Sequence, residues 1–467
     1  MYRLSAVIVA AVMLSTDSAL PVAGPVKALS SRSITDEVPF AASDERTRLD
    51  VRALLTAARG APPMICYLAS QSVRGFGWGD WSDAPSTPLA SVVSNRGFDY
   101  DSSDPTAADV EMVLEGLGSD DACVRELSVR LVGRYRSENA INGLIARLSS
   151  PSAPLREVAA LGLGLNKSAR AADPLMRAVR DVTPGVRANA VWALGRMEHG
   201  PALSSIVSLF RDGDARVREA SVIASGRMDS TNVTPNLVRV IRQDDSPAVR
   251  RAAAWALGQL EAREAVDALA GVLNQDRDVR VREMAAWALG NIESRNASPA
   301  LMAAARGDAS DQVRETAVWA LAEIGDRAAV ETLGSIAGAD RSSRVRGTAA
   351  WAIGQLQRGG RAPAGLLQAL RNESEDTRLK AAWALGQIGD AAAIGAIRDA
   401  LKQDNSTQVR KALIRALMKS GERSQATLTE LLSSSDPQVR EAAVRGLAGG
   451  GSFNPWPWPW PRPRPIP

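Results

Sequence analysis

From about residue 120 onward, apolar residues return at every third or fourth position in short stretches separated by charged turns. This spacing lays one apolar stripe along an α-helix. In "PAVRRAAAWALGQL", counted from Val249 as zero, Ala253, Ala256, Leu257 and Leu260 fall at roughly 40°, 340°, 80° and 20° around the helix, a single face. A short charged turn follows, and then "REAVDALAGVLNQ" carries a second stripe. No stretch reads as a strand.

The pattern repeats. Aligned on the arginine that opens each first stretch, usually preceded by Val, the units start at Arg125, Arg156, Arg187, Arg218, Arg250, Arg282, Arg314, Arg346, Arg378, Arg410 and Arg440. The intervals are 31, 32 and finally 30 residues, a regularity that marks a repeat array. Asp, Ser, Asn or Pro stands at most unit starts, where a side-chain oxygen can accept from free backbone N–H groups of a helix. Each unit is an antiparallel helix pair too small to bury its own apolar face, and stacking such pairs buries a continuous core. The expected fold is all-α, an α-solenoid of about 11 helix pairs. The repeated Arg is expected to pair with an Asp of the adjacent turn. The repeated Gly of the first stretch (Gly195, Gly258, Gly290, Gly354, Gly386) is expected to let a neighbouring helix approach closely.

"VRRAAAWALGQL" and "VRETAVWALAEIGD" resemble the bacterial HEAT-like repeat named after phycobilisome lyases, with its pattern VRxxAAxALGxIGD followed by a second amphipathic helix. The resemblance covers about Asp120 to Gly449. It implies an α-α superhelix whose first helices line a concave surface, and it is almost silent on activity, because one such fold serves many unrelated functions.

Six units place a Trp at the same position: Trp192, Trp255, Trp287, Trp319, Trp351 and Trp383. Trp255 falls at roughly 240°, away from the stripe of its own unit, and so is expected to face outward. Four residues later stand Arg196, Gln259, Asn291, Glu323, Gln355 and Gln387. The spacing is similar to the Trp–Asn ladder of armadillo-type importins, in which amides bond a peptide backbone and indoles form slots for its side chains. Trp255/Gln259, Trp287/Asn291, Trp319/Glu323, Trp351/Gln355 and Trp383/Gln387 are therefore candidates for a peptide-binding ladder. The alternative is that each indole lies flat on its neighbour and seals the groove.

Composition narrows the function. Of 56 basic residues 50 are Arg, but 52 acidic residues are interleaved with them and the net charge is only +4. Nucleic acid binding calls for basic charge clustered on one face, so it is not expected. The single histidine, His199, leaves no His-rich metal site, no Ser-His-Asp triad and no HExxH motif. Deoxyhypusine hydroxylase, built on a similar repeat, holds iron with His-Glu pairs that this chain lacks. No catalytic, cofactor or metal residue is expected. The expected function is a non-enzymatic scaffold for a protein or extended peptide, with a bilin-lyase-like accessory enzyme as the alternative.

The ends differ from the array. "MYRLSAVIVAAVMLSTDSALPVAG" has a basic start, a short apolar core and a small-residue exit, the layout of a secretory signal within residues 1–30. Export to the periplasm or the medium is expected, without a stable membrane span. Residues 31–118 break the repeat, include a loop with Trp78 and Trp81, and are expected to cap an array at 119–449. Cys66 and Cys123 could pair, though nothing in the sequence fixes their distance. At 450–467, "GGSFNPWPWPWPRPRPIP" alternates proline with tryptophan and arginine, which favours extended polyproline II. This tail is a candidate for docking in the groove of its own molecule or a neighbour's.

Overall fold

The computed structural model describes residues 50–62, 66, 105–422 and 424–447. The expected signal, the Trp78/Trp81 loop and the Pro/Trp tail lie outside them. The described residues contain 23 α-helices and no strand. They fall into two units that meet at residues 140 and 141.

The first unit has α1 (Val51–Ala58), α2 (Ala107–Gly116) and α3 (Ala122–Val132). Val51, Leu55, Val113, Leu114, Val124 and Leu127 form its buried apolar side. Its helix starts are capped by side chains: Asp50 on α1, a reciprocal Thr106–Asp109 box on α2, and Asp121 on α3. Asp121 also accepts from the backbone N–H of Gly60 at 2.7 Å. A disulfide joins Cys66 to Cys123, with their Cα atoms 5.6 Å apart. One helix start is thus tied to the α1 segment both covalently and through Asp121. The N–H groups of Gly60 and Val124 hold the Asp121 carboxyl below its ordinary pKa.

Helix α4 (Glu138–Arg147) runs across the boundary. The second unit then stacks nine complete pairs. The first helices are α5 (Ala153–Asn166), α7 (Pro184–Arg196), α9 (Ala215–Arg227), α11 (Pro247–Gln259), α13 (Val279–Ile292), α15 (Asp311–Ile324), α17 (Ser343–Leu356), α19 (Glu375–Ile388) and α21 (Thr407–Lys419). Their partners are α6 (Ala172–Ala178), α8 (Leu203–Ser208), α10 (Thr234–Gln243), α12 (Val266–Gln275), α14 (Ser298–Gly307), α16 (Val330–Ala339), α18 (Ala364–Ala369), α20 (Ile394–Gln403) and α22 (Gln425–Leu432). A last first helix, α23 (Pro437–Leu447), has no second helix after it among the described residues. Of the eleventh unit, only this first helix lies among the described residues.

Within a pair, Leu257 of α11 and Leu269 of α12 are fully buried, as are Leu289 and Leu301, and Leu321 and Leu333, in the next two. The turn after most first helices needs a left-handed residue. Gly325, Gly389 and Gly421 fill it with φ of 71°, 69° and 89°, whereas Lys167, Glu198, Asp229, Glu261 and Glu293 adopt it at 46–59°. Glycine is the one residue without a Cβ penalty there.

Candidate binding face on the first helices

The opening Arg of each unit fixes where its first helix starts relative to the next. Arg282 donates Nε and Nη2 to the two carboxylate oxygens of Asp308 at 2.8 and 3.0 Å, and Nη1 to the carbonyl of Asp276 at 2.9 Å. Arg314 repeats this with Asp340 and the carbonyl of Asp308. Each Asp thus pairs through its carboxylate with the Arg of its own unit and offers its carbonyl to the Arg of the next. Its Oδ1 also accepts the N–H two residues on, as Ser310 gives to Asp308. The Arg–Asp pairing expected from sequence is present from Arg156–Asp181 to Arg378–Asp404, with one exception at Arg346. Burial pushes the Asp308 carboxyl up. The hydrogen bonds from Arg282 and Ser310, with the charges of Arg282 and Arg314, outweigh it and hold the group below its ordinary value. The same balance holds at Asp276 and Asp340.

On this frame the tryptophans do not project from the surface. Trp255, Trp287, Trp319 and Trp351 are 6%, 5%, 9% and 1% exposed, and Trp383 is half-buried. The expectation of outward-facing indoles is corrected: they belong to the buried core and lie against the preceding repeat. A Cβ placed on Gly258 would come within 2.9 Å of Cζ3 of Trp287 and of the Ala288 backbone. On Gly290 it would meet Cζ3 of Trp319 at 2.8 Å, and on Gly226 that of Trp255 at 3.1 Å. Gly354 is covered in the same way by Trp383, and Gly164 by Trp192. The repeated Gly is the seat for the next repeat's indole. Where Arg415 stands in place of Trp, a Cβ on Gly386 would meet nothing nearer than 3.5 Å. Their burial against the preceding repeat is what the sealing alternative calls for.

The partners four residues on are at the surface. Gln259, Glu323 and Gln355 are exposed, and Asn291 and Gln387 are half-buried. They recur at one register position along consecutive first helices. Burial and the nearby Glu293 charge raise the pKa of the Glu323 carboxyl.

A second file was missed from sequence. The residue after each opening Arg includes Glu219, Arg251, Glu283 and Glu315, all buried or half-buried. Glu315 pairs with Nε of Arg344 at 2.6 Å and accepts from Thr348 at 3.1 Å. Burial raises the pKa of Glu219, Glu283 and Glu315, and at Glu283 repulsion from Glu315 adds to it. The signal was available, since Glu, Arg, Glu, Glu recur one residue beyond the Arg, but the arginines drew the reading. The face can therefore offer amides and carboxylates as hydrogen-bond partners over a rigid floor. Among the described residues, no three His, Cys, Asp or Glu side chains are grouped to hold a metal ion. None of the helices there is long and apolar enough to cross a membrane.

Such stacked pairs, locked by an Arg–Asp ladder, define an all-α solenoid. Residues 178–246, 234–315, 298–364 and 363–448 match HEAT repeats, together more than half of the sequence. The chain belongs to the HEAT-repeat family. It is similar to yeast importin-β (Kap95p), with a TM-score of 0.51 and 16% identity over 85% of this chain and 62% of that one. An engineered protein matches at a TM-score of 0.43 and 20% identity, covering 73% of this chain and 99% of its own. The CpcE–CpcF phycocyanin lyase complex of a Nostoc species matches at 0.31 and 23%, covering 53% and 94%. At these identities the likeness is one of fold. No curated protein is significantly similar in sequence.

Proposed function

We propose that the array is an exported, non-enzymatic scaffold that holds a protein or an extended peptide along the face of its first helices. The observation that carries this reading is the file of Gln259, Asn291, Glu323, Gln355 and Gln387. Five consecutive repeats set a polar side chain at one exposed or half-buried position, one helical turn after a buried or half-buried tryptophan. Side-chain amides both donate and accept, as a peptide backbone requires. Kap95p, which shares the fold, is solved in a complex with Nup1. The Cys66–Cys123 disulfide supports an oxidising compartment, in agreement with the apolar leader of the sequence.

Selection of extended peptides from a random library on the full chain tests the binding. The expected result is a set of peptides whose affinity falls at least about tenfold in the Gln259→Ala/Gln355→Ala/Gln387→Ala variant, a loss of a few hydrogen bonds. Unchanged affinity in that variant, with its helical content intact, would overturn the assignment of this face.

A further inference from the structure

Among the described residues, α23 leaves an apolar position uncovered. Five residues beyond the Val, Leu or Thr that precedes each opening Arg, the second unit carries Ala160, Val191, Val222, Ala254, Ala286, Val318, Ala350, Ala382 and Ile414. All nine are 0% exposed. This position lies at roughly 140° on the helix, close to the Gly seat at roughly 180° that meets the following repeat. In α23 it is Val444, which is 54% exposed. Leu432, on the preceding α22, is 43% exposed. The terminal repeat of an array usually turns a polar face outward. Here the position keeps the apolar residue suited to a further layer.

We propose that residues 450–467, the Pro/Trp segment, fold back and cover this face of α23 in place of a twelfth helix. Val444 lies within one turn of the end of α23, so its cover need not travel far. Ala448 to Ser452 form a small-residue hinge, with a root-mean-square reach of about 12 Å for five flexible residues. A packed layer sits roughly 8–10 Å away. The hinge therefore delivers Phe453 and Trp456 to the flank that carries Val444, at the high effective concentration of a short tether. A proline-rich strand suits the role, because it has few N–H groups that burial would leave without partners. The buried indoles of the first helices offer no such seat, so the end of the array is a better site for the tail than the groove. The inference does not rest on the binding role of the Gln259–Gln387 file.

Hydrogen exchange of α23 amides in the full chain and in a chain lacking 450–467 tests the proposal. The expected result is exchange at least about tenfold faster without the segment, restored by adding a synthetic 450–467 peptide. Val444→Asp, at an exposed position and so compatible with folding, should abolish that restoration. Equal exchange with and without the segment would overturn the proposal, and a partner absent from the sample would then be the occupant. Protection in the full chain that vanishes on dilution would also overturn it, since a second copy would be the cover.

Discussion

The pairs α13/α14 and α17/α18 share the opening Arg and the Trp but follow different local rules. In the first, Arg282 grips the buried carboxylate of Asp308 and Glu293 takes the left-handed turn at φ 52°. In the second, Asn372 stands where the Asp should be. Arg346 reaches Asn372 at 3.4 Å and the largely exposed Glu373, and its Nε has no partner. Gln357 is extended at φ −117°, and the chain detours through Gly359 and Gly360 before the six-residue α18. Gly365 then packs onto the carbonyl of Gly334, a contact that leaves no room for a Cβ. Where the Asp is lost, the left-handed turn is also absent, and the backbones of two second helices come into contact. The regular step from one repeat to the next accompanies the Arg–Asp pair.

The largest expected effect separates these two arginines. Arg282→Ala leaves Asp308 buried without its partner and should cost about 3–5 kcal/mol. Arg346→Ala removes a contact with an exposed glutamate and hydrogen bonds to Asn372 and the Asp340 carbonyl, and should cost less, about 1–2 kcal/mol. Urea denaturation of both variants measures this, and equal losses would break the comparison. Asn372→Asp should sharpen it by adding ~1 kcal/mol, since it restores a charged partner for Arg346. Because the Asp276, Asp308 and Asp340 carboxyls sit below their ordinary pKa, their contribution is complete above about pH 4 and is lost as pH falls through the folded values.

The seat of the indole gives the next effect. Gly258→Ala forces a methyl against Trp287 and the Ala288 backbone and should cost about 1–3 kcal/mol. Gly386→Ala meets only ordinary contacts beside Arg415 and should gain up to ~1 kcal/mol from helix propensity. Thermal unfolding of the two variants checks the difference in sign.

A smaller effect has the opposite pH dependence to the Asp ladder. With a raised folded pKa, Glu283 weakens the protein as pH rises through the interval above its ordinary value, and the deficit persists at pH 7. Glu283→Gln should therefore stabilise at pH 7, with the gain shrinking toward pH 4. A gain that stays constant with pH would point to packing instead of charge.

Much of this is legible in the sequence alone. The spacing of Arg250, Arg282 and Arg314 gave the helix pairs, and the angular positions of Leu257 and Leu260 gave the core of each pair. The same arithmetic placed Trp255 away from the side of its helix that carries Leu257 and Leu260. It failed because an indole is long enough to reach the neighbouring repeat, a contact that a single-helix projection cannot contain. The information lay in pairs of units: a Gly at 226, 258, 290 and 354 precedes a Trp at 255, 287, 319 and 383. Arg346 was unremarkable in sequence, because only its Asn372 partner, 26 residues on, shows that the ladder is broken there.

The repeated indole is a packing element between repeats. Comparing Trp287→Ala with Leu289→Ala by urea denaturation tests it most directly. Both side chains are buried, so both variants should lose stability on the same scale, about 3–5 kcal/mol for the Trp and 2–5 kcal/mol for the Leu. A Trp287→Ala variant within about 0.5 kcal/mol of the parent, the range of a surface substitution, beside a Leu289→Ala variant that loses several times more, would contradict it.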